Sequence, residues 1–238
     1  MNCKNCNAET SQNFCSNCGA PVKLKRIDRH YIQHEIEHLL HFEKGFLYTI
    51  KELVTRPGQS VRTFISDNRT KLVKPILFII LSSLLYSLTT HFFHIEDGYM
   101  KYGNTEANST TLIFKWIQEH YGYSNIIMAI FIAMWIKIFF RKYNYNFFEI
   151  LILLCFVMGI GMLIFALFAM IEGVSNIQLM QISGIISFIY SAWAIGQFFD
   201  KYKWINYLKS FFAYLLGFMT FGISALMLGI AIDLIIKH

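Results

Sequence analysis

Four cysteines near the N-terminus have a spacing that is typical of a metal site. Cys3, Cys6, Cys15 and Cys18 form the pattern C-x2-C-x8-C-x2-C. Each C-x2-C pair makes a tight knuckle that presents two thiolates to one tetrahedral ion, and Gly19 suits the turn that ends the second knuckle. So short a segment cannot bury a core, so the metal must supply its folding energy. We predict a zinc ribbon over residues 1–22, with structural zinc.

Two other interpretations of these cysteines are disfavoured. Two disulfides would require an oxidising compartment, whereas the segment is expected in the reducing cytoplasm. A redox-active C-x2-C pair would normally sit in a βαβ unit, and no such pattern follows. Nucleic-acid binding is also disfavoured, because Lys4, Glu9 and Phe14 are the ribbon's only charged and aromatic residues.

A second candidate site follows in the sequence His34-Glu35-Ile36-Glu37-His38, an H-E-x-x-H pattern. On a helix, His34 and His38 share one face, and Glu35 could polarise a zinc-bound water. A catalytic zinc needs a third protein ligand. His41 is poorly placed, since it lies about 10 Å from His34 along a helix, and no further ligand motif follows. Three interpretations stay open: a zinc metallopeptidase with Glu35 as the catalytic residue, a second metal site at His34 and His38, or a histidine-rich surface helix.

The composition indicates that most of the chain is dissolved in lipid. Of 238 residues, 55% are hydrophobic and only 15% are charged, and the mean hydropathy is +0.43. A soluble domain would carry about 25% charged residues. Five apolar runs are long enough to cross roughly 30 Å of hydrocarbon as helices. The sequence therefore predicts an all-α membrane protein, with a transmembrane domain over residues 75–238 and spans at about 75–93, 123–140, 147–171, 177–199 and 211–236.

The segment between the ribbon and the first span carries most of the net charge of +6. Residues 23–74 read as a basic, amphipathic region with one or two helices over 27–54, a break at 55–58, and a short helix over 59–67. Such helices beside a membrane usually lie in its interface. Their basic residues are expected either to contact lipid phosphates or to hold the surface helices to the bundle; they are Arg56, Arg62, Arg69, Lys71 and Lys74.

The charges of the predicted loops alternate between positive and non-positive. Arg141 and Lys142 follow the second span, and three lysines, at positions 201, 203 and 209, follow the fourth. By the positive-inside rule, the N-terminus is expected in the cytoplasm and the C-terminus outside. Ionisable residues deep in the spans are scarce, which argues against an ion-coupled transporter. A permease for a small molecule or a lipid stays open.

The basic region also resembles a known family. The matching landmarks are Lys44-Gly45, Tyr48-Thr49, Lys51-Glu52, Arg56-Pro57-Gly58, Arg62, Arg69 and Lys74-Pro75. On these residues the chain resembles an uncharacterised bacterial family of zinc-ribbon, multi-span membrane proteins, classed as a domain of unknown function. The resemblance implies the bacterial inner membrane and supplies no activity.

The layout of a cytosolic N-terminal region, a Pro-containing interfacial segment and five spans is also similar to that of Yip1-type proteins. That similarity implies a non-enzymatic role in membrane organisation. The leading hypothesis is accordingly a non-enzymatic membrane protein. Its ribbon and basic helices would dock a cytoplasmic protein partner or the anionic leaflet of the bilayer. The sequence makes no prediction of the oligomeric state.

Overall fold

Eight α-helices and no β-strand make up the described part of the chain. A computed structural model describes residues 2–10, 13–19, 21, 45–95, 108–175 and 177–236, and every structural statement below refers to these residues. In chain order the helices are α1 Phe46–Thr55, α2 Pro57–Ser66, α3 Pro75–Phe93, α4 Ser109–Glu119, α5 Tyr121–Phe139, α6 Phe147–Ser175, α7 Met180–Asp200 and α8 Trp204–Ile236.

Five of these helices, α3 and α5 to α8, are long and apolar enough to cross a membrane. They correspond to the five predicted spans, so the all-α, five-span membrane fold is confirmed. Helix α3 has the bounds expected for the first span, whereas α8 begins at Trp204 rather than at residue 211. With 29 residues in α6 and 33 in α8, these two helices extend about 43 Å and 50 Å, beyond the hydrocarbon of a bilayer.

Helix α6 lies at the centre of the bundle. In its most apolar stretch 72% of the residues are buried within the protein, against 17% for α8. It packs against α3, α5 and α7, and also against α1 and α2. Gly159 allows α6 and α3 to approach closely, because a Cβ added to Gly159 would lie only 2.6 Å from the ring of Phe78 in α3. Helix α8 therefore borders the lipid, and α6 forms the core.

Buried carboxylates cap the N-termini of α6 and α7. Asn146 and Glu149 form a capping box at the start of α6, in which each side chain accepts the main-chain N–H of the other, at 2.8 and 2.7 Å. Glu172, only 9% exposed, accepts the N–H groups of Leu179 and Met180 at the start of α7, at 2.7 and 3.1 Å. These carboxylates thus accept hydrogen bonds from main-chain N–H groups that have no partner within their own helix.

Helix α4 was not predicted, because its residues lie between the first two predicted spans, where the sequence suggests a loop. Its first N–H, from Ser109, donates to Asp233 of α8 at 2.9 Å. Thr110 packs so closely on Gly229 that a Cβ added to Gly229 would lie 2.6 Å from the Cα of Thr110. The helix thereby lies along the last turns of α8 and breaks at His120, where α5 begins.

Helices α1 and α2 join the bundle beside α6 and α7. The expected helix over 59–67 begins earlier, at Pro57, and α1 ends at Thr55, at the expected break. The apolar side of α2 faces the spans: Val61 and Phe64 are fully buried, and the Phe64 ring meets Phe156 of α6 edge-on, with centroids 5.3 Å apart. Helix α1 leaves Leu47 80% exposed.

Candidate metal centre

The four N-terminal cysteines form one compact cluster. All four Sγ atoms lie within 4.8 Å of one another, and the Cys3–Cys18 and Cys6–Cys15 pairs are each 3.6 Å apart. A tetrahedral ion with metal–sulfur bonds of about 2.3 Å separates its ligands by about 3.8 Å. A disulfide would bring two sulfurs to about 2.05 Å, and all four cysteines are free. The cluster could therefore hold a metal ion with four sulfur ligands.

The two knuckles of the cluster have the same local structure, twelve residues apart. The residue after each C-x2-C pair adopts a left-handed conformation, with φ of 59° at Asn7 and 69° at Gly19. Its N–H donates to the first cysteine of the pair, Cys3 or Cys15, at 2.9 and 2.8 Å. Sequence reasoning found Gly19 but missed Asn7, although asparagine is one of the few other residues that tolerate this conformation. Each knuckle is closed by one isolated β-bridge, Asn2–Glu9 and Phe14–Pro21.

Main-chain N–H groups favour the thiolate form in the first knuckle. The Ala8 N–H, followed by the Asn17 side chain, lowers the pKa of Cys6 to about 6. The N–H groups of Cys6 and Asn5 lower the pKa of Cys3. Because thiolates are the metal-binding form of cysteine, these donors prepare the site for a cation.

The first knuckle is docked on the end of α2. Its two middle residues are Lys4 and Asn5. Lys4 forms an ion pair with Asp67, and Asn5 Oδ1 accepts a hydrogen bond of 2.6 Å from Asn68. Asn68 is 5% exposed, and its own oxygen accepts the N–H and hydroxyl of Thr70, at 2.8 and 2.7 Å. The candidate metal centre is thereby tied to the membrane domain.

Arg62 attaches α2 to the end of a membrane span. Its Nη1 donates to the main-chain oxygens of Gln197 and Phe198, at 2.6 Å each. These carbonyls belong to the last turn of α7, where a helix lacks internal donors. Of the two roles expected for Arg62, the contact made here is with the bundle.

The Arg56-Pro57-Gly58 sequence forms the corner between α1 and α2. Arg56 donates to Glu52 at 3.1 Å, and Ser60 donates to the other oxygen of Glu52 at 3.0 Å, so this carboxylate joins the two helices. Pro57 occupies the first position of α2, where its missing N–H costs nothing. Gly58 faces the α7 backbone without a side chain between them.

The remaining basic landmarks lie around the turn that leads to α3. Arg69 donates to the Ile65 carbonyl at 3.4 Å, and the half-buried Lys74 precedes α3. Within the same turn, the Val73 N–H donates to the buried Thr49 hydroxyl at 3.0 Å. Thr49 thus connects α1 to the start of the first span.

The H-E-x-x-H pattern lies outside the described residues. His34, Glu35 and His38 fall within residues 22–44. A metal or catalytic role for them stays a prediction.

Comparison with known proteins finds a match for the corner at Arg56-Pro57-Gly58 and the helices that flank it. Residues 43–87 match a family model described as "Protein of unknown function (DUF3667)". The matched range, called the DUF3667 segment below, holds α1, α2 and most of α3. The expected resemblance to an uncharacterised family is therefore confirmed for this segment. Neither the curated proteins nor the solved structures contain a match to the chain, so the similarity to Yip1-type proteins stays an expectation.

Proposed function

We propose that this chain is a non-enzymatic membrane protein whose ribbon binds zinc and recruits a cytoplasmic protein partner to the bilayer. This proposal rests on the observation that one knuckle is docked on the protein and the other is exposed. The first knuckle contacts the DUF3667 segment through Lys4 and Asn5. The second knuckle leaves Phe14 63% exposed.

Zinc is the ion that best suits the cluster. Four thiolates at tetrahedral separations favour zinc over magnesium or calcium, which prefer oxygen ligands. Four protein ligands also fill a tetrahedral shell, whereas catalytic zinc keeps one position open for water or substrate. The donor set therefore supports a structural ion and a ribbon without catalysis of its own.

The charges at the two ends of the bundle support a ribbon on the cytoplasmic side of a bacterial inner membrane. The end that bears α2 also bears the loops after α5 and α7, which are rich in lysine and arginine. The opposite end carries Glu119, Glu172 and Asp233. Positive loops are retained in the cytoplasm, which would place the C-terminus outside. The residues at the positive end are Lys137, Arg141, Lys142, Lys201 and Lys203.

A protein suits the exposed knuckle better than nucleic acid or lipid. Exposed aromatic residues are enriched among the anchors of protein interfaces. Lys4 is the cation of the ribbon and is already paired with Asp67, so little positive charge is left for phosphates. Phe14 would be the anchor of the interface.

Site-specific photocrosslinking in living bacteria tests this proposal. A photoreactive phenylalanine at position 14 should give a discrete protein adduct in the membrane fraction. The same residue at Tyr202, which is 86% exposed in a loop at the same end, should not. Combining Cys3→Ser with Cys6→Ser should remove the adduct while the protein remains in the membrane. Equal adducts at both positions, or an adduct that survives the double substitution, would refute recruitment by the ribbon.

A further inference from the structure

A cavity of about 500 Å³ lies inside the membrane domain, between α3 and the helices from α4 to α8. Its size is within the range of about 300–1,000 Å³ that ligand sites occupy. We propose that it binds an uncharged lipid of the diacylglycerol type, whose polar groups are a hydroxyl and ester oxygens. This binding site is independent of the ribbon and of its partner.

The lining of the cavity selects for an uncharged and mainly apolar ligand. Seven aromatic rings and three methionines dominate it, among them Phe165, Tyr214 and Met158, and no charged side chain of the described residues takes part. An ionised head group at this depth would be buried without a counter-charge, at a high cost in free energy. Methionine side chains adapt readily to flexible chains. Phospholipids with ionised heads are therefore disfavoured.

Asn125 supplies the polar group that recognises the ligand. It is only 3% exposed, and its amide nitrogen donates a long hydrogen bond of 3.4 Å to the Ser83 hydroxyl. No hydrogen bond to its amide oxygen is found among the described residues, and this oxygen is not one of their fully enclosed unpaired atoms. Because Asn125 lines the cavity, a ligand there can donate a hydrogen bond to this oxygen. A lipid hydroxyl in the cavity would be that donor, which favours diacylglycerol over a fully esterified lipid or a quinone.

A second cavity, of about 300 Å³, gives a long chain room to extend toward α4. It is lined by residues of α4, α5 and α8 and shares Ile117, Ser124 and Phe221 with the first cavity. Ser124 donates to the Ile117 carbonyl at 3.0 Å, which holds α4 beside both cavities. The two cavities together suit a chain-bearing lipid better than a compact solute.

Photolabelling of the full chain in nanodiscs tests the proposal. The probe is a diacylglycerol with a diazirine in one chain, in a phosphatidylcholine bilayer. Labels should map to Met158, Met162 and Phe165, which line the cavity, in preference to Leu167 and Met170, which are exposed on the same helix. Unlabelled diacylglycerol should compete at least fivefold better than its O-acetyl ester or phosphatidylglycerol, because the ester lacks the hydroxyl.

Two glycines provide matched variants. A Cβ at Gly184, which lines the cavity, would meet only the Phe165 ring, at 3.9 Å, so Gly184→Leu should fill the cavity and reduce labelling at least fivefold. Gly222→Leu, where a Cβ would meet nothing within 4 Å and which lies outside the lining, should label like the parent. In Asn125→Leu the advantage over the ester should disappear. Equal labelling of Leu167 and Met170, equal competition by the ester in the parent, or undiminished labelling of Gly184→Leu would each overturn the proposal.

Discussion

Arg62 Nη1 donates to the main-chain oxygen of Phe198 at 2.6 Å, and it also donates to the main-chain oxygen of Gln197 at 2.6 Å. Both acceptors lie in the last turn of α7, whose first N–H groups are bound by Glu172. A cation at the C-terminus and a carboxylate at the N-terminus both complement the helix dipole. The DUF3667 segment thus supplies one of the two charged caps of a membrane span.

Arg62→Ala should lower the free energy of unfolding by about 2–3 kcal/mol, because two part-buried carbonyls lose a charged donor. The measurement is denaturant or thermal unfolding of the purified protein in detergent. Arg56→Ala is the matched control: its i,i+4 pair with Glu52 leaves the Arg56 side chain 59% exposed and should contribute about 0.5 kcal/mol or less. Equal losses in the two variants would contradict a capping role for Arg62.

Gly58→Ala should destabilise the protein by about 1–3 kcal/mol, although alanine is the better helix former. The new Cβ would lie 2.5 Å from the Gln197 oxygen and 2.6 Å from the Phe198 nitrogen, and both are backbone atoms that cannot swing aside. Gly222→Ala, with open space around its Cβ, should be neutral or stabilising in the same unfolding assay. If Gly58→Ala were as stable as the parent protein, α2 and α7 would not be in close backbone contact at Gly58.

The spans could be predicted because a helix in lipid needs a long uncharged run, which is a local property of the sequence. Their ends were less accurate, since Trp204 and its neighbours are polar or aromatic enough to read as a loop, yet they continue α8. Helix α4 was missed because its cap, Asp233, is 124 residues away. The sequence cannot decide between the two roles of Arg62, because lipid phosphates and helix carbonyls attract the same guanidinium.

The candidate metal site was the most predictable part of the molecule, since two C-x2-C knuckles carry their own turn geometry. Its docking was not predictable. The pairs Lys4–Asp67 and Asn5–Asn68 join residues 63 positions apart through ordinary polar side chains that have no distinctive pattern. The apolar cavity was not predictable either, because it depends on how the six helices from α3 to α8 leave space between them.

The purified chain should contain one zinc ion, measured by elemental analysis against protein concentration. Cys6→Ser should lose it, because three ligands bind zinc far less tightly than a closed set of four. Cys155→Ser should retain it, since Cys155 is buried in α6, away from the cluster. A second equivalent of zinc that disappears in His34→Ala would instead support the metallopeptidase or second-site interpretation.

Zinc binding should be lost as the pH falls through the mildly acidic range. The N–H donors of the first knuckle hold the pKa of Cys6 at about 6, below its usual 9.0. A lowered pKa favours the thiolate in the folded ribbon. The associated stabilisation is complete above pH 9 and is lost as the pH falls through about 6. We expect zinc to stay bound at neutral pH and to pass to a chromogenic chelator below about pH 6. Release that is already half complete above pH 7 would contradict this environment for Cys6.

Asn68→Ala should weaken the docking of the first knuckle on the end of α2 without removing the metal. Among the described residues, Asn68 links Asn5 to the turn that ends in Thr70. Its loss should therefore speed hydrogen exchange of the first knuckle by roughly tenfold, as expected when a local opening loses one or two hydrogen bonds. Asn13→Ala, at an exposed position before the second knuckle, should leave the exchange rate and the zinc content unchanged. The proposed zinc would maintain the fold of each knuckle independently of its docking. Loss of zinc in Asn68→Ala would therefore show that the ribbon depends on the DUF3667 segment for its structure.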